Sequence, residues 1–176
     1  MLSVVIPVTH PEPALVDTLA ALVPAAADGL LRDVLLAGAA ESDFLQRVAD
    51  AAGCGLLPIA GGRAAAVASG ARQVKGPWVL VLEPGLVPGG DWMAETEAFI
   101  EEAGDGDAAA YSLAPRGPLR QQIRSHAINW RCQLTGRAHP LQGLVAGRDI
   151  LAQGRPVKAA RLASPVHDRR GRVRTR

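Results

Sequence analysis

A short apolar run, WVLVL at residues 78–82, constrains the fold more than any other stretch of this chain. Five consecutive apolar residues are typical of a strand that is buried on both faces, as in a parallel sheet covered by helices. The run ends in Glu83-Pro84-Gly85, where the chain must turn. Because ligands bind outside the carboxyl ends of the strands in open α/β sheets, we expect a site at this turn.

Strand and helix patterns alternate along the rest of the chain over short loops. Strands are expected at residues 2–7, 33–37, 55–60, 78–82, 108–113 and 142–146. Helices are expected at residues 15–27, 43–52, 64–74, 91–102, 118–135 and 148–153. This order predicts an α/β fold, a three-layer α/β/α sandwich built on a mostly parallel sheet.

Composition excludes several classes of protein. Aromatic residues make up 3% of the 176 residues, too few for a surface that stacks nucleic-acid bases, so we predict no specific nucleic-acid partner. The two cysteines, Cys54 and Cys132, lack metal-ligand spacing and indicate a reduced, cytoplasmic protein. Apolar stretches all fall short of the roughly 18 residues that a membrane span needs.

Arginine dominates the end of the chain. Residues 161–176 contain six arginines against one acid, Asp168. We therefore predict one domain at residues 1–160 and a basic tail at residues 161–176. Two interpretations of the tail stay open. It is solvated and partly disordered, or it contacts a phosphate-rich partner or an anionic membrane surface and places the protein peripherally at the membrane.

The turns distinguish among α/β folds. A dinucleotide site needs G-x-G-x-x-G after the first strand, where this chain has PVTHPEP, and a P-loop ending in GK[ST] is absent. The segments that do occur resemble family 2 glycosyltransferases in order: SVVIPVTHPEPALVDTLAAL, DVLLAGAAESD, GGRAAAVASGARQVKGPWVLVLEPGLVPGGDW and LRQQIRSHAINWRCQLTGRAHPLQGLVAGRDIL. The resemblance covers about residues 2–151 and implies the GT-A fold.

The resemblance also implies a donor, a nucleoside diphosphate sugar linked to UDP or GDP, whose sugar passes to an acceptor hydroxyl. Its implied nucleotide-sugar site comprises Pro7, Thr9, His10, Glu12, Arg63 and Glu83. Glu83 would hold Mg²⁺ or Mn²⁺, Arg63 the diphosphate, and His139 and Gln142 would lie on the acceptor side. Plainer interpretations remain open from the residues alone: a solvated turn for Glu83, a surface arginine for Arg63 and an exposed loop histidine for His10. Trp92 and Trp130 are expected in the core.

Two acids that the family uses for the nucleotide and the metal are absent. The second strand ends in Ala37, where members carry an aspartate for the uracil or ribose. Asp43 is a candidate to stand in for that aspartate, although helix capping explains it equally well. The D-x-D metal turn reads Glu83-Pro84-Gly85, so glycine stands in place of the second metal-binding acid.

Two further acids are missing on the acceptor side. Leu141 precedes the Gln-Gly pair where short members carry an acid, and the chain has no acid between Asp149 and Asp168 to act as general base. Loss of a positioned base costs about 10²–10⁴-fold in rate. We therefore assign no catalytic residue and leave two functions open. One is a weak or unusual transferase, in which arginines substitute electrostatically for the metal. The other is a non-catalytic relative that binds, scaffolds or regulates an active partner.

Overall fold

A computed structural model describes residues 1–9, 12–38, 43–104 and 106–170. The strands are β1 Leu2–Pro7, β2 Leu31–Gly38, β3 Gly55–Pro58, β4 Trp78–Val81, β5 Leu86–Pro88, β6 Ala108–Leu113, β7 Leu144–Gly147 and β8 Ala159–Asp168. The helices are α1 Leu15–Ala27, α2 Asp43–Ala52, α3 Arg63–Gln73, α4 Trp92–Glu102, α5 Leu119–Thr135 and α6 Arg148–Ala152. A single 3₁₀ turn, Pro140–Gln142, precedes β7.

Strands form one sheet in the order β3-β2-β1-β4-β7-β6-β8-β5. β1, β2, β3 and β4 pair in parallel, and so do β6 and β8, whereas β7 is antiparallel to both of its neighbours and β5 is antiparallel to β8. Helices cover both faces of this mixed, mostly parallel sheet. The predicted three-layer α/β/α sandwich is confirmed.

Alternation along the strands divides the core into two layers. Val4 and Ile6 of β1 face the layer that receives side chains from α1, α2 and α4. Val5 faces the opposite layer, which receives side chains from α3 and α6. Gly70 lets α3 approach the sheet closely, because a Cβ there would lie 2.7 Å from Val5 Cγ1. Among the described residues, no helix is both long and apolar enough to cross a membrane.

Two strands were not predicted, and one of them corrects the predicted tail. Residues 161–168 lie in β8, between β6 and β5, so the assignment of a tail beginning at residue 161 is wrong for this part. Leu162, Ser164 and Val166 are buried and alternate with more exposed neighbours, which fits a strand. The arginines at 172, 174 and 176 lie outside the described residues.

Candidate functional site

One edge of the sheet collects the loops that the sequence singled out. Val81 at the end of β4 pairs with Leu144 at the start of β7, and Leu113 at the end of β6 pairs with Val166 near the end of β8. The carboxyl ends of β1, β4, β6 and β8 therefore meet the amino end of β7. Four loop segments lie at this edge. Residues 83–85, 114–116 and 169–170 follow strands, and residues 139–143 lead into β7.

Arg63 and Glu83 form an ion pair at this edge. Arg63 is the first residue of α3, and its Nε donates to Oε1 of Glu83 in the turn after β4. The Glu83 side chain is 15% exposed and the Arg63 side chain 39% exposed. The structure thus joins the predicted diphosphate contact to the predicted metal ligand, and the carboxylate already has a cationic partner.

A second ion pair joins Asp168 to Arg170. Nε and Nη2 of Arg170 donate to the two carboxylate oxygens, each over 2.9 Å. Arg116 also donates to the backbone carbonyl of Asp168. Burial alone would raise the pKa of Asp168. Hydrogen bonds from Arg170, with the charges of Arg170 and Arg116, outweigh burial and hold that pKa below its usual value.

Gly85 lies between the two ion pairs, in the turn that contains Glu83 and against Arg170. Its N–H donates to Thr18 Oγ1 over 2.8 Å, and its carbonyl accepts from the Arg169 N–H over 2.7 Å. Its φ is +85°, and a Cβ at this position would lie 2.5 Å from Cγ of Arg170. The hydrogen bond to Asp168 raises the pKa of Arg170, and nearby acidic charges, including that of Glu83, raise it further. Because residue 85 has no side chain, the turn leaves room for an arginine.

Arginines also line two cavities beside these pairs. The first has a volume of about 430 Å³ and is lined by Arg116, Arg124 and Arg170 together with Gln121, Ser125 and Asp168. The second, of about 420 Å³, is lined by Arg63, Arg137 and Arg155 with Val81 and Leu144. Both cavities suit an anionic ligand because their charged lining is mainly cationic.

His139 lies within the field of the same arginines. Burial lowers its pKa, and the charges of Arg131, Arg124, Arg170 and Arg63 lower it further. Its Nδ1 accepts a hydrogen bond from the Leu141 N–H over 3.2 Å, so Nε2 carries the proton in the neutral ring. In its neutral form, His139 therefore has Nε2–H as its hydrogen-bond donor.

Comparison with solved structures identifies the architecture. A crystal structure of glucosyl-3-phosphoglycerate synthase from Mycobacterium tuberculosis matches 99% of this chain and 74% of its own chain, with 15% identity and a TM-score of 0.65. The same synthase with Mn²⁺, UDP and glucosyl-3-phosphoglycerate matches 85% of this chain at 15% identity, with a TM-score of 0.61. This chain has a GT-A-like fold.

The match has limits of identity and of length. No profile of a known protein family matches the sequence, and no curated protein matches it. This GT-A-like chain spans 57% of the length of the synthase in the complex with Mn²⁺, UDP and glucosyl-3-phosphoglycerate. The similarity therefore establishes the fold alone.

The predicted divalent cation does not fit the turn at residues 83–85. Mg²⁺ and Mn²⁺ need several oxygen ligands, but Glu83 pairs with Arg63 and Gly85 has no side chain. Across residues 1–9, 12–38, 43–104 and 106–170, no group of three or more His, Cys, Asp or Glu side chains could hold a metal ion.

Gln142 lies at the predicted acceptor side but is fully buried. Its Oε1 accepts from the His139 N–H over 2.9 Å, and its Nε2 donates to the Tyr111 carbonyl over 3.1 Å and to Asn129 Oδ1 over 3.3 Å. Gln142 thereby fixes the turn that carries His139 against β6 and α5.

The remaining predicted residues take varied positions. Pro7 is buried at the end of β1, Glu12 is half-buried and Thr9 is exposed, whereas His10 lies outside the described residues. Trp92 is buried as expected, but Trp130 is 66% exposed, so its predicted place in the core is wrong. Leu119, Ile123 and Leu134 of α5 are exposed as well.

Sequence reasoning assigned no site role to Arg116 or Arg124, which line the 430 Å³ cavity. It named Arg170 only among the tail arginines that could substitute for the metal. The structure brings Arg170 to both the cavity and the Glu83 turn, and that place depends on the pairing of β8 with β5 and β6.

Proposed function

We propose that this protein binds a nucleoside diphosphate sugar, linked to UDP or GDP, and that arginines hold its diphosphate in place of a divalent cation. One observation carries the proposal: at the GT-A turn, Glu83 is paired with Arg63, and Arg170 packs against Gly85. The fold supplies the cleft for the sugar nucleotide, and these two arginines supply the positive charge.

Both guanidinium groups keep donors for a ligand. A guanidinium has five N–H donors in a planar fork that matches phosphate oxygens. The bond to Glu83 uses Nε of Arg63, and the bonds to Asp168 use Nε and one Nη2 donor of Arg170. The two carboxylates orient the guanidinium groups before the ligand arrives, which lowers the entropy lost on binding.

The neighbours support a sugar-nucleotide ligand. The synthase was solved in a complex with Mn²⁺ and UDP-glucose, and also in a complex with UDP. A further structure contains phosphoglyceric acid, a small anion. For this chain we place the acceptor in the 430 Å³ cavity beside Arg170, whose three arginines favour an acidic acceptor.

Transfer to an acceptor hydroxyl is the second candidate function, and the cavity beside Arg170 favours it. Asp168 and His139, the two candidates for a general base in the described site, suit that role poorly. Asp168 is tied to Arg170 and its pKa is lowered, while Nδ1 of His139 already accepts a hydrogen bond. We therefore place binding first and direct attack of an acceptor hydroxyl on the sugar second.

Calorimetric titration tests the binding proposal. UDP, UDP-glucose, GDP and GDP-mannose are titrated into the protein with EDTA and, separately, with Mn²⁺. We expect at least one ligand to bind in EDTA, with little gain from Mn²⁺. Binding that requires Mn²⁺ would support a sugar-nucleotide ligand but would contradict the proposal that arginines take the place of the cation. Binding of none of the four would refute the whole proposal.

Variants assign the interaction to the two arginines. Each of Arg63→Gln and Arg170→Gln should weaken binding about 10- to 100-fold, since a hydrogen bond to a charged group contributes about 1.5–3 kcal/mol. Arg72→Gln is the matched control, because Arg72 is exposed in the last turn of the same helix that Arg63 begins. Equal affinity of all three variants and the wild type would exclude the arginines from the site.

Release of UDP or GDP from the ligand that binds, measured with and without acidic acceptors, separates the two candidate functions. Turnover that depends on an acceptor establishes a transferase. Tight binding without turnover favours the binding or regulatory protein.

A further inference from the structure

The outer face of α5 carries a row of exposed apolar side chains. Leu119, Ile123, Trp130 and Leu134 are 71%, 59%, 66% and 63% exposed. They account for four of the seven large apolar side chains that are exposed among the described residues. Single exposed apolar residues are ordinary, but a set gathered on one helix indicates a contact surface.

Helical geometry places these four residues in one line. Their spacings of four, seven and four residues return to the same side of a helix, and the line is roughly 22 Å long at 1.5 Å per residue. The buried residues of α5, Ser125, Ile128 and Cys132, lie on the opposite side. α5 therefore has two apolar faces, and the fold covers only one.

Arginines form a second row next to the outer apolar row. Arg120, Arg124 and Arg131 each follow one of the apolar residues directly, which places them about 100° further around the helix and on one side of the row. α5 contains no aspartate or glutamate. A partner for this face must bury apolar side chains and supply negative charge beside them.

A second copy of the chain meets these conditions poorly. In a two-fold pair of α5 faces the arginine rows would flank the apolar contact, without an aspartate or glutamate on either helix to pair with them. A bilayer surface with anionic lipids satisfies both conditions. Apolar side chains and a tryptophan enter the region between headgroups and acyl chains, while arginines reach the phosphates.

We propose that α5 lies on an anionic membrane surface through Leu119, Ile123, Trp130 and Leu134, with Arg120, Arg124 and Arg131 at the headgroups. The inference stands apart from the proposed function, because it rests on the outer face of α5. Arg124 also lines the 430 Å³ cavity, so this orientation brings the cavity near the lipid surface.

Vesicle co-sedimentation of the full chain tests the proposal. The two kinds of vesicle are phosphatidylcholine alone and phosphatidylcholine with about one third phosphatidylglycerol. We expect stronger binding to the anionic vesicles, weakening as salt is raised, and a blue shift of tryptophan emission. Lack of binding to the anionic vesicles, or equal binding to both kinds, overturns the proposal.

Variants on exposed positions separate the two rows. The double change Ile123→Gln with Trp130→Gln should reduce vesicle binding more than tenfold. The double change Arg120→Gln with Arg131→Gln should remove most of the preference for anionic lipid, about fivefold for each arginine at low salt. Val16→Gln with Val23→Gln is the matched control, since these residues are exposed apolar positions on α1.

Two results would assign the α5 face to another partner. If the double variant Ile123→Gln with Trp130→Gln binds vesicles as well as the wild type, the membrane contact lies on another surface of the protein. A dimer in analytical ultracentrifugation that the same variant abolishes would make the face an interface between copies. Circular dichroism and thermal unfolding of each variant verify that it is folded.

Discussion

The two halves of the sheet differ in how their strands are connected and in what their ends carry. In the half formed by β1 to β4, neighbouring strands are all parallel and helices connect them. In the half formed by β5 to β8, parallel and antiparallel pairs mix. The first half supplies Arg63 and Glu83, and the second supplies Arg116, Asp168 and Arg170.

The difference shows where the charge of the site comes from. The first half supplies one carboxylate and one guanidinium at the turn after β4. The second half returns the chain to that turn through β8 and adds Arg170 next to Gly85. The cationic character of the site therefore depends on both halves being folded together.

The largest effect should come from truncating buried leucines, one in each half. Leu80→Ala in β4 and Leu86→Ala in β5 each remove a side chain that is 0% exposed, in a core layer that both halves share. We expect each to lower the free energy of unfolding by about 2–5 kcal/mol, measured by urea denaturation. Leu134→Ala on the exposed face of α5 should change it by less than about 0.5 kcal/mol.

Tryptophan fluorescence and far-UV circular dichroism should follow the same single transition in both leucine variants. Two separate transitions, or a small loss confined to one variant, would show that the halves unfold independently.

An intermediate effect should follow removal of the Gln142 amide, which ties the second half together. Gln142→Leu leaves the buried Tyr111 carbonyl and the His139 N–H without this partner. We expect a loss of about 1–3 kcal/mol in the free energy of unfolding. Gln122→Leu is the control, because its amide bonds the Gly117 carbonyl at the surface and should matter little. Equal losses in the two variants would contradict the role given to Gln142.

The smallest effect should appear in the pH dependence that His139 contributes. Burial and the neighbouring arginines hold the pKa of His139 below the unfolded value of about 6.5. Below that pH the unfolded chain binds a proton that the folded chain binds less readily, so this contribution to stability is lost as the pH falls through the folded pKa. His139→Gln should flatten the corresponding part of the curve of unfolding free energy against pH.

Proton titration by NMR gives a direct measurement of the same effect. Arg131→Gln should raise the pKa of His139, because the charge of Arg131 lowers that pKa more than the charge of any other arginine. Arg47→Gln, on α2 and exposed, should leave it unchanged. If neither variant changes the pKa of His139, then burial and not the charge of Arg131 lowers it.

Local patterns predicted the first half well. The apolar runs at β1 and β4, the alanine-rich α3 and the turn at Glu83 follow from hydrophobic periodicity and turn residues, which act over a few neighbours. The resemblance to family 2 glycosyltransferases, not local patterning, implied that Arg63 and Glu83 share one site, and it did not imply that they pair with each other.

The second half depended on contacts between distant residues. β8 alternates between buried and exposed side chains, but its arginines and its position at the end of the chain gave the pattern of a tail. Trp130 was expected in the core and is exposed. α5 has apolar residues on two faces, and periodicity alone does not tell which face the sheet covers.

The sequence by itself determined the layered α/β architecture, most element positions and the lack of an acidic side chain at Gly85, because short-range periodicity and residue identity are local properties. Only the tertiary structure decided that β8 enters the sheet, that Arg170 reaches the Glu83 turn and that α5 turns an apolar row outward. Those outcomes depend on strand pairing and packing between residues far apart in the chain. Which apolar surface becomes buried depends on these long-range contacts and not on neighbouring residues.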